Sequence, residues 1–206
     1  MSKIKVLIAD DHAVVRMGLT ALLQAADDFS VVGEADDGLS AIRKTFRLKP
    51  DIVIMDLMMP GTDGIAATRE IHRECPNVKI LVLTTSTISD DLSHAIEAGA
   101  AGVITKSSVK SRLLSSIRAI AAGQTVVSPE IRQLISEDPP VQELTARQTE
   151  ILASVTRGLT NADIATQFAI SPESVKDHIN AIFAKLGAAN RTEAVTIALR
   201  KHLLKI

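Results

Sequence analysis

Three acids, a threonine and a lysine stand just past short apolar runs in residues 1–123. Val6-Leu7-Ile8-Ala9 ends in Asp10-Asp11, and Ile52-Val53-Ile54-Met55 ends in Asp56. Ile80-Leu81-Val82-Leu83 ends in Thr84-Thr85, and Gly102-Val103-Ile104 is soon followed by Lys106. Three carboxylates brought to one place repel each other and need a cation. Hard oxygen ligands with room for water suit Mg²⁺. With the metal bound, one carboxylate can attack phosphorus and become an aspartyl phosphate. The new charge then needs a fixed cation and hydrogen-bond donors, which Lys106 and the Thr84 hydroxyl supply. A lone acid after a strand is ordinarily a turn or cap residue, but this set at successive run ends is hard to reach by chance.

The chemistry requires elements that bring the run ends together. The four runs just named, with Ser30-Val31-Val32-Gly33, alternate with helical stripes such as Val14, Leu19, Leu22, Leu23 and Leu113, Leu114, Ile117, Ile120. Strands alternating with helices predict βαβ units and a parallel sheet. Four of the five runs are apolar on both faces, as expected when helices cover both sides. The expected fold is a five-stranded doubly wound α/β domain over 1–123, with its ligand site beyond the carboxyl ends of the strands.

The pattern changes after Gly123. Pro129 can open a short helix through Ile135, and Ser136-Glu137-Asp138-Pro139-Pro140 reads as an exposed linker, so 124–140 is taken as a linker with a short helix. Residues 141–206 read as four short helices. Their starts are marked by Thr145…Gln148, Thr160…Asp163, Ser171-Pro172 and Asn190…Glu193.

Within this all-α part, Asn161–Phe168 and Pro172–Leu186 are separated only by Ala169-Ile170-Ser171, which fits a helix-turn-helix. Val175, Ile179, Ile182, Phe183 and Leu186 form one apolar stripe of the second helix. The opposite face carries Ser174, Lys176, Asp177 and Asn180. Lys176 can donate to guanine, Asn180 can pair with adenine, and Asp177 can accept from cytosine N4. Thr160, Asn161, Ser171, Lys185 and Arg191 are candidate phosphate contacts. A small helical bundle with an ordinary solvated face is the plainer alternative.

The 206 residues carry a net charge of −1 and a single cysteine, Cys75, which excludes a disulfide-stapled scaffold. No apolar run approaches a bilayer span, and the N-terminus lacks a signal-peptide core, so the expected compartment is the cytoplasm. The near-neutral balance is uneven. Residues 141–206 hold eight Lys+Arg against six Asp+Glu, and this is the only positive segment. His12, His72 and His94 lack partners at metal-ligand spacing and read as solvated surface.

Residues 1–123 resemble a bacterial response-regulator receiver domain. The matching stretches are Ile8-Ala9-Asp10-Asp11-His12, Asp56-Leu57-Met58-Met59-Pro60-Gly61-Thr62-Asp63-Gly64, Leu83-Thr84-Thr85 and Glu97-Ala98-Gly99-Ala100…Lys106. The resemblance implies a flavodoxin-like strand order 2-1-3-4-5 and Asp56 as phosphoacceptor. It implies Asp11, Asp56 and the Met58 carbonyl as direct Mg²⁺ ligands, with Asp10 acting through water. It implies Thr84 and Lys106 as phosphoryl contacts. The family usually has an aromatic where Val103 stands, so the switch is expected to run through the segment 84–91 instead.

Residues 141–206 resemble the LuxR-type output domain of NarL/FixJ regulators. The stretches are Leu144-Thr145…Arg147-Gln148, Gly158-Leu159-Thr160-Asn161, Ile170-Ser171…Val175-Lys176 and Lys185-Leu186-Gly187…Asn190-Arg191-Thr192-Glu193-Ala194. Together the resemblances imply a two-component transcriptional regulator. It would take phosphate from a histidine kinase, bind promoter DNA as a homodimer and have no membrane partner. It would not be an enzyme beyond its own phosphorylation and dephosphorylation. One competitor is a Mg²⁺-dependent phosphotransferase; such enzymes often carry a second acid two residues after the nucleophile, where this chain has Met58. The other is a phosphorylation-gated module whose helical part binds protein.

Overall fold

The computed structural model describes residues 3–85, 88–201 and 203–204, without the side chains of Lys110 and Ser111. Ser86 and Thr87, part of the expected switch segment, and Met1-Ser2 at the N-terminus lie outside the described residues. The chain divides into two units, Met1–Pro139 and Pro140–Ile206.

In the first unit β1 (Ile4–Ala9), α1 (Ala13–Gln24), β2 (Phe29–Ala35), α2 (Gly38–Leu48), β3 (Ile52–Asp56) and α3 (Gly64–Glu74) alternate. They continue with β4 (Lys79–Thr84), α4 (Ser89–Glu97), β5 (Gly102–Thr105) and α5 (Val109–Ala121). The parallel sheet runs β2-β1-β3-β4-β5, as expected, and is extended past β5 by β6 (Val126–Val127).

Period-two alternation sorts the strand residues into two apolar layers. Leu7, Val53, Met55, Ile80, Val82 and Val103 face one layer with Ala67 and Ile71 of α3 and Leu92 of α4. Val6, Ile8, Ile52, Ile54, Leu81, Leu83 and Ile104 face the other, with Leu19 and Leu23 of α1 and Leu113, Ile117 and Ile120 of α5. Val14 departs from the expected stripe. It is 81% exposed and, with Met17 at 69%, lies on the outer side of α1.

Of residues 124–140, read from the sequence as a linker with a short helix, 124–139 belong to this unit. Val126 and Val127 pair with Gly102 and Val103. A Cβ on Gly102 would sit 2.8 Å from the Val126 carbonyl oxygen, so the missing side chain admits the strand. Ser128 then caps α6 (Pro129–Glu137), with proline in the first turn. Ile131 is fully buried in the layer that holds Val103 and Leu92.

The second unit is all helical: α7 (Ala146–Thr156), α8 (Asn161–Phe168), α9 (Pro172–Leu186) and α10 (Arg191–Arg200). Thr145/Gln148 and Thr160/Asp163 form reciprocal capping boxes. At Asn190 the box is incomplete, because the Glu193 carboxylate accepts from the Ala189 N–H instead. Ala169, between α8 and α9, takes the left-handed conformation with φ 51°. Ile164, Ala165, Val175, Ile179, Ile182, Leu186, Ala194 and Ala198 form the core.

Truncating a buried isoleucine removes apolar contact and leaves a void. Ile131→Ala is therefore expected to destabilise the first unit by about 2–4 kcal/mol in urea unfolding. A residue in a solvated linker would move it by less than about 0.5 kcal/mol.

Candidate functional site

In the strand order, β1 and β3 are neighbours at the point where the winding reverses. Asp10 and Asp11 follow β1, Asp56 ends β3, Thr84 ends β4, and Lys106 follows β5. The expected residues thus come from adjacent strand ends. Lys106 Nζ lies 2.7 Å from Asp56 Oδ2 and 2.7 Å from Asp10 Oδ2, bridging two carboxylates. Thr84 is fully buried and pairs in register with Thr105, one strand from Asp56.

The loop after Asp56 has to turn sharply to leave the site open. Gly64 makes this turn. Its N–H donates to the Leu57 carbonyl, and a Cβ there would sit 1.9 Å from the Asp56 carbonyl oxygen. Only glycine permits so close a backbone approach. Met58 follows in this loop, with its N–H 3.4 Å from Asp56 Oδ1 and its side chain exposed.

Sequence reasoning missed Arg16. From α1 its guanidinium donates to the carbonyl oxygens of Asp10 (2.8 Å) and Asp11 (3.3 Å) and pairs with Glu34 at the end of β2. Thr20 also donates to Glu34. This clamp fixes the backbone that carries the acid pair. Its only sequence signal is an arginine one helical turn beyond His12.

Atoms of Asp10, Asp11, His12 and Asp56 lie within 4.8 Å of one another. His12 is therefore not simple surface. Its side chain is 67% exposed, yet Nδ1 lies 2.7 Å from Asp11 Oδ1. Asp10 Oδ2 and Asp11 Oδ1 are buried, with Lys106 Nζ and His12 Nδ1 each 2.7 Å away as their ion-pair partners. Three carboxylates gathered this closely carry more negative charge than Lys106 offsets, so the cluster suits a metal. Burial, against the opposing hydrogen bond and charge of Lys106, raises the Asp56 carboxyl above its ordinary pKa, and the Asp10 charge adds to the rise. Burial also works against the Lys106 charge, but hydrogen bonds and charges from Asp10 and Asp56 hold its ammonium above the usual lysine range.

In the second unit, Lys176, Asp177 and Asn180 are exposed together on α9, and Ser174 is half-buried beside them. The stripe of Val175, Ile179, Ile182 and Leu186 is buried on the other side. The Ser171 hydroxyl accepts the Ser174 N–H, and the Thr160 hydroxyl lies 2.6 Å from Asp163 Oδ2. Lys185 donates to the Glu143 carbonyl and to Gln148, and Arg191 donates to the carbonyls of Leu159 and Val155 and to Asn161. These two cations tie loops inside the unit rather than joining the free face of α9.

Both units match known families. The profile described as "Response regulator receiver domain" matches residues 6–118, more than half of the chain. "Bacterial regulatory proteins, luxR family" matches residues 142–198. The chain is a response regulator of the NarL/FixJ family. The regulator is 39% identical to the transcriptional regulatory protein LiaR of Bacillus subtilis over 98% of its own length and 99% of the relative's. It is 35% identical to the response regulator VraR of Staphylococcus aureus, over 98% and 99% of the two chains. Among solved structures, RcsB of Salmonella enterica serovar Typhimurium, bound to a promoter with the phosphomimetic BeF₃⁻, shares 26% identity and a TM-score of 0.70. That match covers 97% of the regulator and 99% of RcsB. The regulator thus pairs a receiver with a DNA-binding LuxR-type domain and is not a conventional enzyme.

A raised carboxyl pKa means that the folded chain binds this proton more tightly than the unfolded chain. Asp56 therefore adds stability as pH falls through its raised value and removes it as pH rises. Without divalent cations, Asp56→Asn is expected to unfold at a higher temperature than the native chain at pH 7. The gap should narrow toward acid pH in paired thermal melts.

Proposed function

We propose that Asp56 accepts a phosphoryl group from a phosphohistidine of a partner histidine kinase, and that the phosphorylated regulator binds promoter DNA as a homodimer through α9. One Asp56 oxygen attacks phosphorus, the P–N bond breaks, and the histidine leaves with the bonding pair. Bound Mg²⁺ would neutralise the carboxylates and draw electron density from the phosphoryl oxygens. Asp11, Asp56 and the Met58 carbonyl would hold it directly, and Asp10 through water. Lys106 holds a phosphoryl oxygen, and the Thr84 hydroxyl donates to another. Lys106, 2.7 Å from both Asp10 and Asp56, is the observation that carries this reading.

Met58 weighs against turnover of a small phosphorylated substrate. Its side chain stands where a phosphotransferase would place an acid, and it can neither give nor take a proton. Among the described residues no helix is long and apolar enough to cross a membrane, in keeping with a cytoplasmic regulator.

For the DNA contact, Lys176, Asp177 and Asn180 are the proposed base readers, with Ser174 beside them. Thr160, Asn161 and Ser171 are proposed as positions near phosphate. Lys185 and Arg191 would reach phosphate only with donors left over from their internal bonds. The slight positive charge of residues 141–206 makes a single output domain a weak binder, so two must act together.

Incubation with a phosphohistidine donor and Mg²⁺ should give an acid-stable, base-labile phosphoryl adduct on the native chain and none on Asp56→Asn; equal labelling of both would sink the phosphoacceptor assignment. Site selection from random DNA should enrich a repeated motif, more strongly with BeF₃⁻. Within that motif Asp177→Ala should lose about 1–3 kcal/mol of discrimination at one C·G pair. Equal tightening on every sequence would instead mark Asp177 as merely repulsive.

A further inference from the structure

The helix beside the switch threonine is covered by the chain's own α6. Ile131, Leu134 and Ile135 of α6 pack in the layer that holds Leu92 and Ala95 of α4 and Val103 of β5. Val103 is fully buried there, and its carbonyl accepts the Ser128 N–H just ahead of α6. A stiff β-branched side chain in that position cannot swing out as an aromatic would. Movement at Thr84 must therefore travel another way.

α4 offers it. The helix begins at Ser89, five residues after Thr84, and Ser89 is buried. The Ser89 hydroxyl donates to Asp138 Oδ2 at 3.1 Å, across forty-nine residues of sequence. Ser93 lies one turn further on the same face. Its hydroxyl is only 7% exposed at residue level and has no hydrogen-bond partner among the described residues. The contact between α4 and α6 thus has an apolar centre and the Ser89–Asp138 hydrogen bond at its end, and α4 carries an unsatisfied hydroxyl at Ser93. Such a contact holds in one state and gives way when one side shifts. Asp138 stands two residues before Pro140, where the second unit begins.

We propose that α6 is an intramolecular latch on α4, closed by the Ser89–Asp138 hydrogen bond and opened by phosphorylation of Asp56. The proposal rests on Asp56 as phosphoacceptor. When Thr84 turns toward a phosphoryl oxygen, the start of α4 moves with it and Ser89 lets Asp138 go. Residues 129–138 then join the connection to the output domain, and the longer reach lets two output domains of a dimer occupy two half-sites.

Hydrogen–deuterium exchange on the full chain with Mg²⁺, with and without BeF₃⁻, tests this. The expected result is slower exchange in residues 57–63 and about tenfold faster exchange in residues 131–138 when BeF₃⁻ is added. Ser89→Ala and Asp138→Asn should each speed exchange at 131–138 without BeF₃⁻ and raise DNA affinity in the same state. Ser93→Ala, which removes the unsatisfied hydroxyl, should slow it. Protection at 57–63 with unchanged exchange at 131–138 overturns the latch and leaves the phosphoacceptor standing. No protection at 57–63 overturns the phosphoacceptor, and the latch with it.

Discussion

The ammonium of Lys106 between Asp10 and Asp56 is the interaction on which the first unit depends. Three strand ends carry like-charged or charge-hungry groups into a space where water is largely excluded. Left alone, two buried carboxylates at this distance would drive the ends of β1 and β3 apart. Lys106 reaches them from the far side of β4, so its position after β5 ties the site to the whole width of the sheet. The backbone around it is shaped to keep that geometry. Arg16 holds the carbonyls of the acid pair, and Gly64 lets the loop fold close against Asp56. The balance is incomplete by design, since a single cation cannot neutralise three acids. That deficit makes the site suitable for a metal ion.

What could be read from the sequence follows the same physics. Asp10, Asp11, Asp56, Thr84 and Lys106 were legible because each follows an apolar run, and parallel strands place such ends together. The capping residues of α7, α8 and α9 were legible because a side-chain oxygen three residues before an N–H is a local arrangement. Arg16 was not, because two of its partners are main-chain carbonyls that leave no mark in residue types and the third, Glu34, lies eighteen residues away. Nor was the packing of residues 124–138. A two-residue strand has no periodicity, and a helix between prolines and acids looks solvated until Ile131 is seen buried. The internal bonds of Lys185 and Arg191 were hidden for a related reason, because their acceptors include the main-chain carbonyls of Glu143 and Leu159.

The two units solve different problems with the same materials. In the first, burial strains charges against each other, so that binding a metal ion would change the balance. In the second, polar groups around α9 are largely satisfied by caps and loop ties, which leaves Lys176, Asp177 and Asn180 exposed on a helix whose other side is fixed in the core. A reader of base edges gains from such rigidity, because misplacement of its side chains loses the discrimination that geometry provides.

Ala169 brings this rigidity to a single torsion. An alanine in the left-handed region is held there against its own preference, by roughly 1–2 kcal/mol. Glycine would relieve that strain, yet it would also widen the range of angles through which α9 could swing relative to α8. Keeping a side chain at this pivot therefore trades folding stability for a narrow crossing angle between the two helices. The angle at which α9 is presented is then set at a residue that lies between it and its supporting helix, rather than by the exposed side chains of α9 alone.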